Sequence, residues 1–276
     1  MSKPEWTGIL NLDIENRAGK SVPKNVYFHD ALKVQRPIYH GRTGRPCYYI
    51  LNVGGGYLDG DTYRTEVRVR ENAELTLTTL GATLIYKTPT KPVYQETEIF
   101  LAENSYLEYL SDPIIGYEKA RYSQLDTIHM KKGATLLYSD ILTPGWSAEG
   151  RSFSYDMLQL RTNIYMEDEL VVYDNIKLEP AVQKIDVLGF MEDYTHLGTF
   201  IVISEKADGE LVKRLQEVIN EQAGDFKAGI SSLMVSGFTV RVMANMTQDI
   251  EKVFSACQKL ISETWYNKQL SSLRKY

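Results

Sequence analysis

Cysteine is nearly absent: the 276 residues hold two, Cys47 and Cys257, far apart and in unrelated surroundings. A disulfide framework needs more, and a structural zinc site needs close pairs, so neither is supported. Each cysteine is expected to be a buried small hydrophobe. Positive charge is also short. Acidic residues outnumber basic ones 36 to 31, with no stripe of Lys and Arg, the reverse of what a phosphate-tracking nucleic-acid binder needs. Apolar runs never approach the roughly eighteen residues of a membrane-spanning helix. The opening stretch "MSKPEWTGIL" has no apolar run behind a basic start, so the expectation is a cytoplasmic, reduced protein without a secretory signal.

Catalytic signatures are missing as well. There is no G-x-x-x-x-G-K-[ST] loop to cradle phosphates, no G-x-S-x-G elbow and no H-E-x-x-H helix. The four histidines, His29, His40, His129 and His196, are isolated and share no ligand spacing. A tightly held catalytic metal or other resident cofactor is therefore not expected.

What the chain does have is tyrosine, nineteen against eight phenylalanines, which favours strands and half-wet sheet faces. Most of the sequence alternates with period two. In "TEVRVRENAELTLTTLGATLIYK", Val67 and Val69 share one face and Glu66, Arg68 and Arg70 the other, and the alternation resumes through Leu75 and Leu77 after a Glu71-Asn72 turn. That pattern predicts a β-hairpin. The phrase returns as "EIFLAENSYLEYL", "TIHMKKGATLLY" and "NIYMEDELVVYD"; with Val67, Ile99, Ile128 and Ile164 equivalent, the spacings are 32, 29 and 36 residues. An imperfect repeat of that size predicts a mainly β fold of stacked layers, a β-helix-like body of hairpin repeats.

After about residue 195 the pattern changes. "GTFIVISE" reads as a strand, and "DGELVKRLQEVINEQ" as a helix capped by Asp208 with Leu211, Leu215, Val218 and Ile219 on one stripe. "GISSLMV" and "FTVRVMA" read as strands joined through Ser236-Gly237. Thr247 can then cap a helix carrying Ile250, Val253, Phe254, Cys257, Leu260, Ile261 and Trp265. With no Pro/Gly/Ser-rich linker, the expectation is one domain, 1–276, with a β body over 1–195 and an α+β flank with two helices over 196–276.

The most specific segment is "ILNVGGGYLDGDTY". Consecutive glycines permit positive φ and close backbone approach, and Asp59 and Asp61 beside them can cap amides or offer oxygens to a cation. Gly55-Gly56, two apolar residues and Gly60-Asp61 resemble the urease accessory protein UreD family. So do Arg36-Pro37 upstream and, downstream, Thr78, Thr79, Ala82, Tyr86 and Lys87 in "TTLGATLIYK". "YLEYLSDPIIGYEKA" is similar to that family's Leu-Glu-aromatic-Leu segment at Leu107, Glu108, Tyr109, Leu110 and Ile115, and "GWSAEGRSF" to its glycine-rich motif at Gly145, Gly150 and Phe153. The matches keep family order from residue 36 to about 180. Departures are Val53-Gly54 in place of two prolines, Asp59 for glycine, Trp146 for the motif arginine and Arg151 for its glutamate, with Glu149 two positions early.

The resemblance implies a non-enzymatic scaffold that binds apo-urease and a helical UreF-like partner, which in turn recruits a UreG-like GTPase carrying nickel. It also implies that Ni²⁺ passes transiently through the chain toward urease. A weak, releasing conduit suits carboxylates better than imidazoles. Asp61, Glu108, Asp112, Asp140 and Glu149 are the candidates, expected to face an interior, water-filled passage. Trp265 and Tyr266 are the candidates for partner contact. A competing reading is a β-helical carbohydrate-active hydrolase drawing an acid/base pair from Asp59, Asp61, Glu108 and Asp112.

Overall fold

The computed structural model describes residues 6–39 and 44–266. Alternation in the sequence becomes stacking in space. Strands β6 (Thr62–Val69), β9 (Val93–Leu101), β12 (Arg121–Met130) and β14 (Met157–Met166) run parallel, with Val67, Ile99, Ile128 and Ile164 directly opposite one another. These four side chains are fully buried, so the repeat read from the sequence is the inward ladder of one sheet. A fifth parallel strand precedes them, β1 (Gly8–Arg17), whose Leu12 lies opposite Val67. β2 (Lys20–Asp30) and β15 (Glu169–Leu178) close the two edges of this seven-stranded sheet as antiparallel partners.

The second arm of each repeat lies in a different sheet. β7 (Glu74–Thr79), β10 (Tyr106–Leu110) and β13 (Thr135–Leu142) run parallel beside β5 (Pro46–Asn52) in an eleven-stranded sheet. The expected internal hairpins are therefore arches, except at the last repeat, where β14 and β15 do pair with each other. The reason is burial. Both arms carry apolar faces, and folding them across a core buries both, while the backbone finds its hydrogen bonds in the next repeat. Turn geometry supports this: Asn72 and Asn104 adopt positive φ, and their amides donate to Glu103 and Lys132 one repeat on, at 3.1 and 3.2 Å. Short strands β3 (Leu32–Val34) and β4 (Ile38–Tyr39) flank β5, and β8 (Thr83–Ile85) pairs with β11 (Ile114–Gly116) at the bends.

The C-terminal flank extends the second sheet. β16 (His196–Ile203) pairs antiparallel with β13, followed by β18 (Gly237–Ala244) and β17 (Phe226–Ser232). Helix α1 (Gly209–Asn220) is capped as expected, the Asp208 carboxylate accepting from the Leu211 amide at 2.8 Å. Its buried stripe is Leu211, Leu215 and Ile219, with Val212 rather than Val218 packed beside them. Helix α2 (Thr247–Tyr266) buries Ile250, Val253, Phe254, Cys257 and Ile261 against the outer face of β16 and β18. Strand β13 is thus buried along its whole length, one face toward the first sheet and the other toward the helices, and its Thr135, Ser139 and Asp140 are buried with it.

Candidate functional site

A sandwich interior built by apolar ladders should be apolar throughout, and this one is not. One layer in from Val67 and its equivalents, Thr65, Thr97, Asp126 and Thr162 lie opposite one another across β6, β9, β12 and β14. The layer beyond carries Tyr63, Gln95 and Gln124 in register. From the facing sheet, Tyr138 and Asp140 of β13 point into the same seam. All are buried or half-buried, Asp126 at 0% and Asp140 at 6% exposure.

The hydrogen bonds are concentrated on one phenol. Tyr138 donates to Asp126 Oδ2 at 2.6 Å and also touches Asp140 Oδ2, while Gln124 Nε2 donates to Asp126 Oδ2 at 2.9 Å and Tyr122 to Gln124 Oε1 at 2.9 Å. A hydroxyl has one proton, so it satisfies one carboxylate at a time, and the second contact is completed by a proton on a carboxyl. Burial pushes both aspartates above the ordinary carboxylate range. For Asp140 the negative charge of Asp126 adds to that, and in both the Tyr138 hydroxyl pulls the other way. Thr97 lies near enough to Asp126 to steady its charge but forms no well-made hydrogen bond. Asp126 Oδ1 and Thr97 Oγ1 are consequently buried oxygens without a hydrogen-bond partner among the described residues.

A small cavity of about 30 Å³ adjoins this cluster, lined among others by Tyr57, Gln95, Tyr109, Asp112, Gln124 and Asp140. Its polar lining and size suit one or two waters. A wider groove of about 220 Å³, walled by Asn52, Gly55, Gly56, Leu80 and Ala82, shares Leu32, Ile50, Tyr57, Thr79 and Thr83 with the cavity, so the two lie side by side with these residues between them. The glycines shape this mouth. A Cβ on Gly56 would stand 2.5 Å from the Tyr86 ring, so only glycine lets Tyr86 lie across the loop. Tyr57 and Tyr63 stack at 3.9 Å behind it; Tyr63 donates to Asp61 at 2.8 Å and Tyr57 to Gln95 at 2.8 Å, which links the mouth to the seam.

The five candidate carboxylates separate into three groups. Asp112 and Asp140 line the cavity. Asp61 lines neither the cavity nor the groove; it is half-buried in the glycine-rich turn, accepting from Tyr63 and from the Leu58 amide at 2.7 Å. Glu108 and Glu149 lie elsewhere. Glu108 shares the outer face of β10 with Tyr106 and Leu110, because its position in the alternation is opposite to Leu107 and Tyr109; there it pairs with Arg45 at 2.9 Å and accepts from Thr76 at 2.8 Å. Glu149 is on the exposed surface with Arg151, 3.3 Å away.

Of the motif residues, Thr79 Oγ1 donates to Asp112 at 2.9 Å and accepts from the Asp112 amide at 2.8 Å, and Thr78 donates to the Leu110 carbonyl. Gly60, Gly145 and Gly150 hold positive φ in turns; Arg36 is exposed, with Pro37 half-buried beside it. Trp265 and Tyr266 are half-buried against the helix-side core, Tyr266 meeting Tyr106 edge-on at 5.7 Å. Both cysteines are buried, and burial pushes the Cys257 thiol up to about 12.

Asp126 and Gln124 are the residues that sequence reasoning missed. The signal was present: both share the face of Ile128 and Met130 in β12, so an aspartate and a glutamine had to point inward. Asp59 caps the Thr90 and Lys91 amides at the surface, Glu108 pairs with Arg45 on the outer face of β10, and Asp61 and Asp112 have separate hydroxyl partners in Tyr63 and Thr79. Among the described residues no three His, Cys, Asp or Glu side chains converge as a metal cage, His40 lying outside them. No helix among them is long and apolar enough to cross a membrane.

The chain is similar to known proteins along its whole length. The family profile described as "UreD urease accessory protein" matches residues 7–275. A protein of Lachnoclostridium phytofermentans named "Urease accessory protein UreD" is 45% identical over 271 residues, covering 98% of this chain and 99% of the relative. Proteins of the same name from two Staphylococcus aureus strains are 44% and 45% identical over 278 residues, covering all of both chains. This chain belongs to the UreD urease accessory protein family.

Proposed function

We propose that this protein serves urease maturation as a non-enzymatic cytoplasmic scaffold, binding apo-urease and a UreF-like helical partner with its UreG-like GTPase. In this reading Ni²⁺ is cargo that passes through the polar seam. The observation that carries it is the seam itself: a row of aspartate, threonine and glutamine side chains buried in an otherwise apolar sandwich, with a small polar cavity against it and a surface groove next to that cavity. Burying such groups is unfavourable, so their presence calls for a use. Carboxylate, hydroxyl and amide oxygens hold Ni²⁺ less tightly than imidazole or thiolate, which suits a passage that must let go. The entry side runs from the groove past Tyr57 to Asp112, with Asp61 behind Tyr57 through the Tyr63 ring, and the interior side is Asp140 with Asp126.

The position of the five carboxylates makes the test selective. In a reconstitution of apo-urease with the accessory proteins, Asp140→Ala and Asp61→Ala are expected to lower urease activation and nickel content while partner pull-down is retained. Glu149→Ala, altered at the exposed surface, is expected to behave as the unaltered protein. Equal activation by all three variants would rule out transit through the seam and leave only the scaffold.

A further inference from the structure

The two sheets do not leave the far end of the seam open. On the first sheet the polar row runs Thr97, Asp126, Thr162 and then Asp174 of β15, each opposite the next. On the second sheet it runs from Asp140 to Thr199 of β16 and then Arg241 of β18. Both rows thus end at the same place, and their last members meet. Arg241 Nη1 donates to Thr199 Oγ1 at 2.9 Å and Nη2 donates to Asp174 Oδ1. One planar guanidinium therefore ties the last residue of one row to the last two of the other, a task its fork geometry suits. The cavity's lining includes Asp140 and Gln124 but neither Thr199 nor Arg241, so the open space stops short of this pair.

We propose that Arg241 and Asp174 form a latch across the β15/β18 end of the seam, so that a divalent cation held at the seam's aspartates leaves by that end only when the pair parts. This rests on the reading of the seam as a cation passage. The physics is that of a plug and a receiver. While paired, the guanidinium places a fixed positive charge in the path of a cation and occupies the oxygen of Asp174. When it swings out, the same carboxylate becomes the next oxygen ligand beyond Asp126 and Asp140. The side chains are 37% and 20% exposed, at the boundary between interior and solvent, where an ion pair is weak enough to be opened by a docking partner.

The test uses the full-length chain loaded with Ni²⁺ and diluted into excess of a coloured chelator too large to enter the sandwich, following nickel loss with time. Arg241→Gln keeps the side chain polar but removes the charge, and is expected to release nickel several-fold faster. Arg241→Lys keeps the charge without the fork and is expected to lie between the two. Asp174→Asn, which frees the guanidinium, is also expected to release faster, and the double variant Arg241→Gln/Asp174→Asn no faster than Arg241→Gln alone. Circular dichroism melts identify any variant that does not fold, in which case the remaining members of the series decide. Identical release from the unaltered protein, Arg241→Gln and Asp174→Asn overturns the latch while leaving the passage standing. Failure of the unaltered chain to load any nickel that Asp140→Ala does not also load overturns the passage, and the latch with it.

Discussion

At the scale of single residues the seam is a problem in proton bookkeeping. Tyr138 serves Asp126 and Asp140 with one hydroxyl, and burial holds both carboxyls above their ordinary range. An aspartate raised above its unfolded value of about 3.9 gives its full share of stability below that pH and loses it as pH rises through the folded value. The protein should therefore lose stability from this pair as pH climbs out of the acidic range. Urea midpoints at pH 5 and pH 8 should show the loss, and Asp126→Asn/Asp140→Asn should show a smaller one, because the amide does not ionise. An unchanged difference between the two pH values would mean that the pair does not titrate as argued. Tyr138→Phe removes the shared donor and leaves two buried carboxyls short of a partner, a change of about 1.5–3 kcal/mol for bonds to charged groups, readable in the same unfolding curves.

At the scale of elements, the turns and the helix seats are the points of least tolerance. Gly133 turns the third arch at φ 73°, and a Cβ there would stand 2.2 Å from Asn104 Oδ1 in the neighbouring turn. Gly133→Ala combines a left-handed backbone with that clash and should destabilise by about 1 kcal/mol or more. Gly198 is different: its backbone is ordinary, but a Cβ would meet Ile250 at 2.4 Å and Phe254 at 2.8 Å, lifting α2 from β16. Gly198→Ala should cost about 1–3 kcal/mol as overpacking. Thermal unfolding of the two variants checks both, and a melting temperature unmoved by Gly198→Ala would mean that α2 is not seated as described. These elements were largely legible beforehand. The equivalence of Val67, Ile99, Ile128 and Ile164, both helices and the Asp208 cap follow from periodicity alone. What periodicity could not say is which strand an arm pairs with, since an arch and a hairpin bury the same alternate residues. For the same reason the site was legible only in part. Asp112 and Asp140, two of the candidate carboxylates, line the cavity, but Glu108 needed its parity against Leu107 and Tyr109, and Asp126 stands two residues before Ile128, just ahead of the repeated phrase.

At the scale of the whole molecule, stacking repeats leaves the two end strands of the first sheet with one unpaired edge each; bulges and, in β2, Pro23 and Lys24 blunt them in part, yet apolar side chains stay in the open. β2 exposes Tyr27 and Phe28, and β15 exposes Leu170 and Tyr173, the last at 61%, beside a connection carrying Val182 and Leu188 on its surface. An edge strand with unpaired backbone groups and exposed apolar side chains is a template for another chain. A protein that works inside a larger assembly has partners to cover such surfaces; on its own it has only copies of itself. The expectation is concentration-dependent self-association of the purified chain, visible as a rising average mass in light scattering. Lysines at the β15 edge, as in Leu170→Lys/Tyr173→Lys, put charge where a second strand would pair and should reduce that association, while the far-UV spectrum stays that of the unaltered protein. If the chain runs as a single monomeric species at every concentration tried, these edges are not adhesive and their exposure has no bearing on assembly. If association persists undiminished in the lysine variant, the contact lies at another edge, and β2 is the next strand to alter.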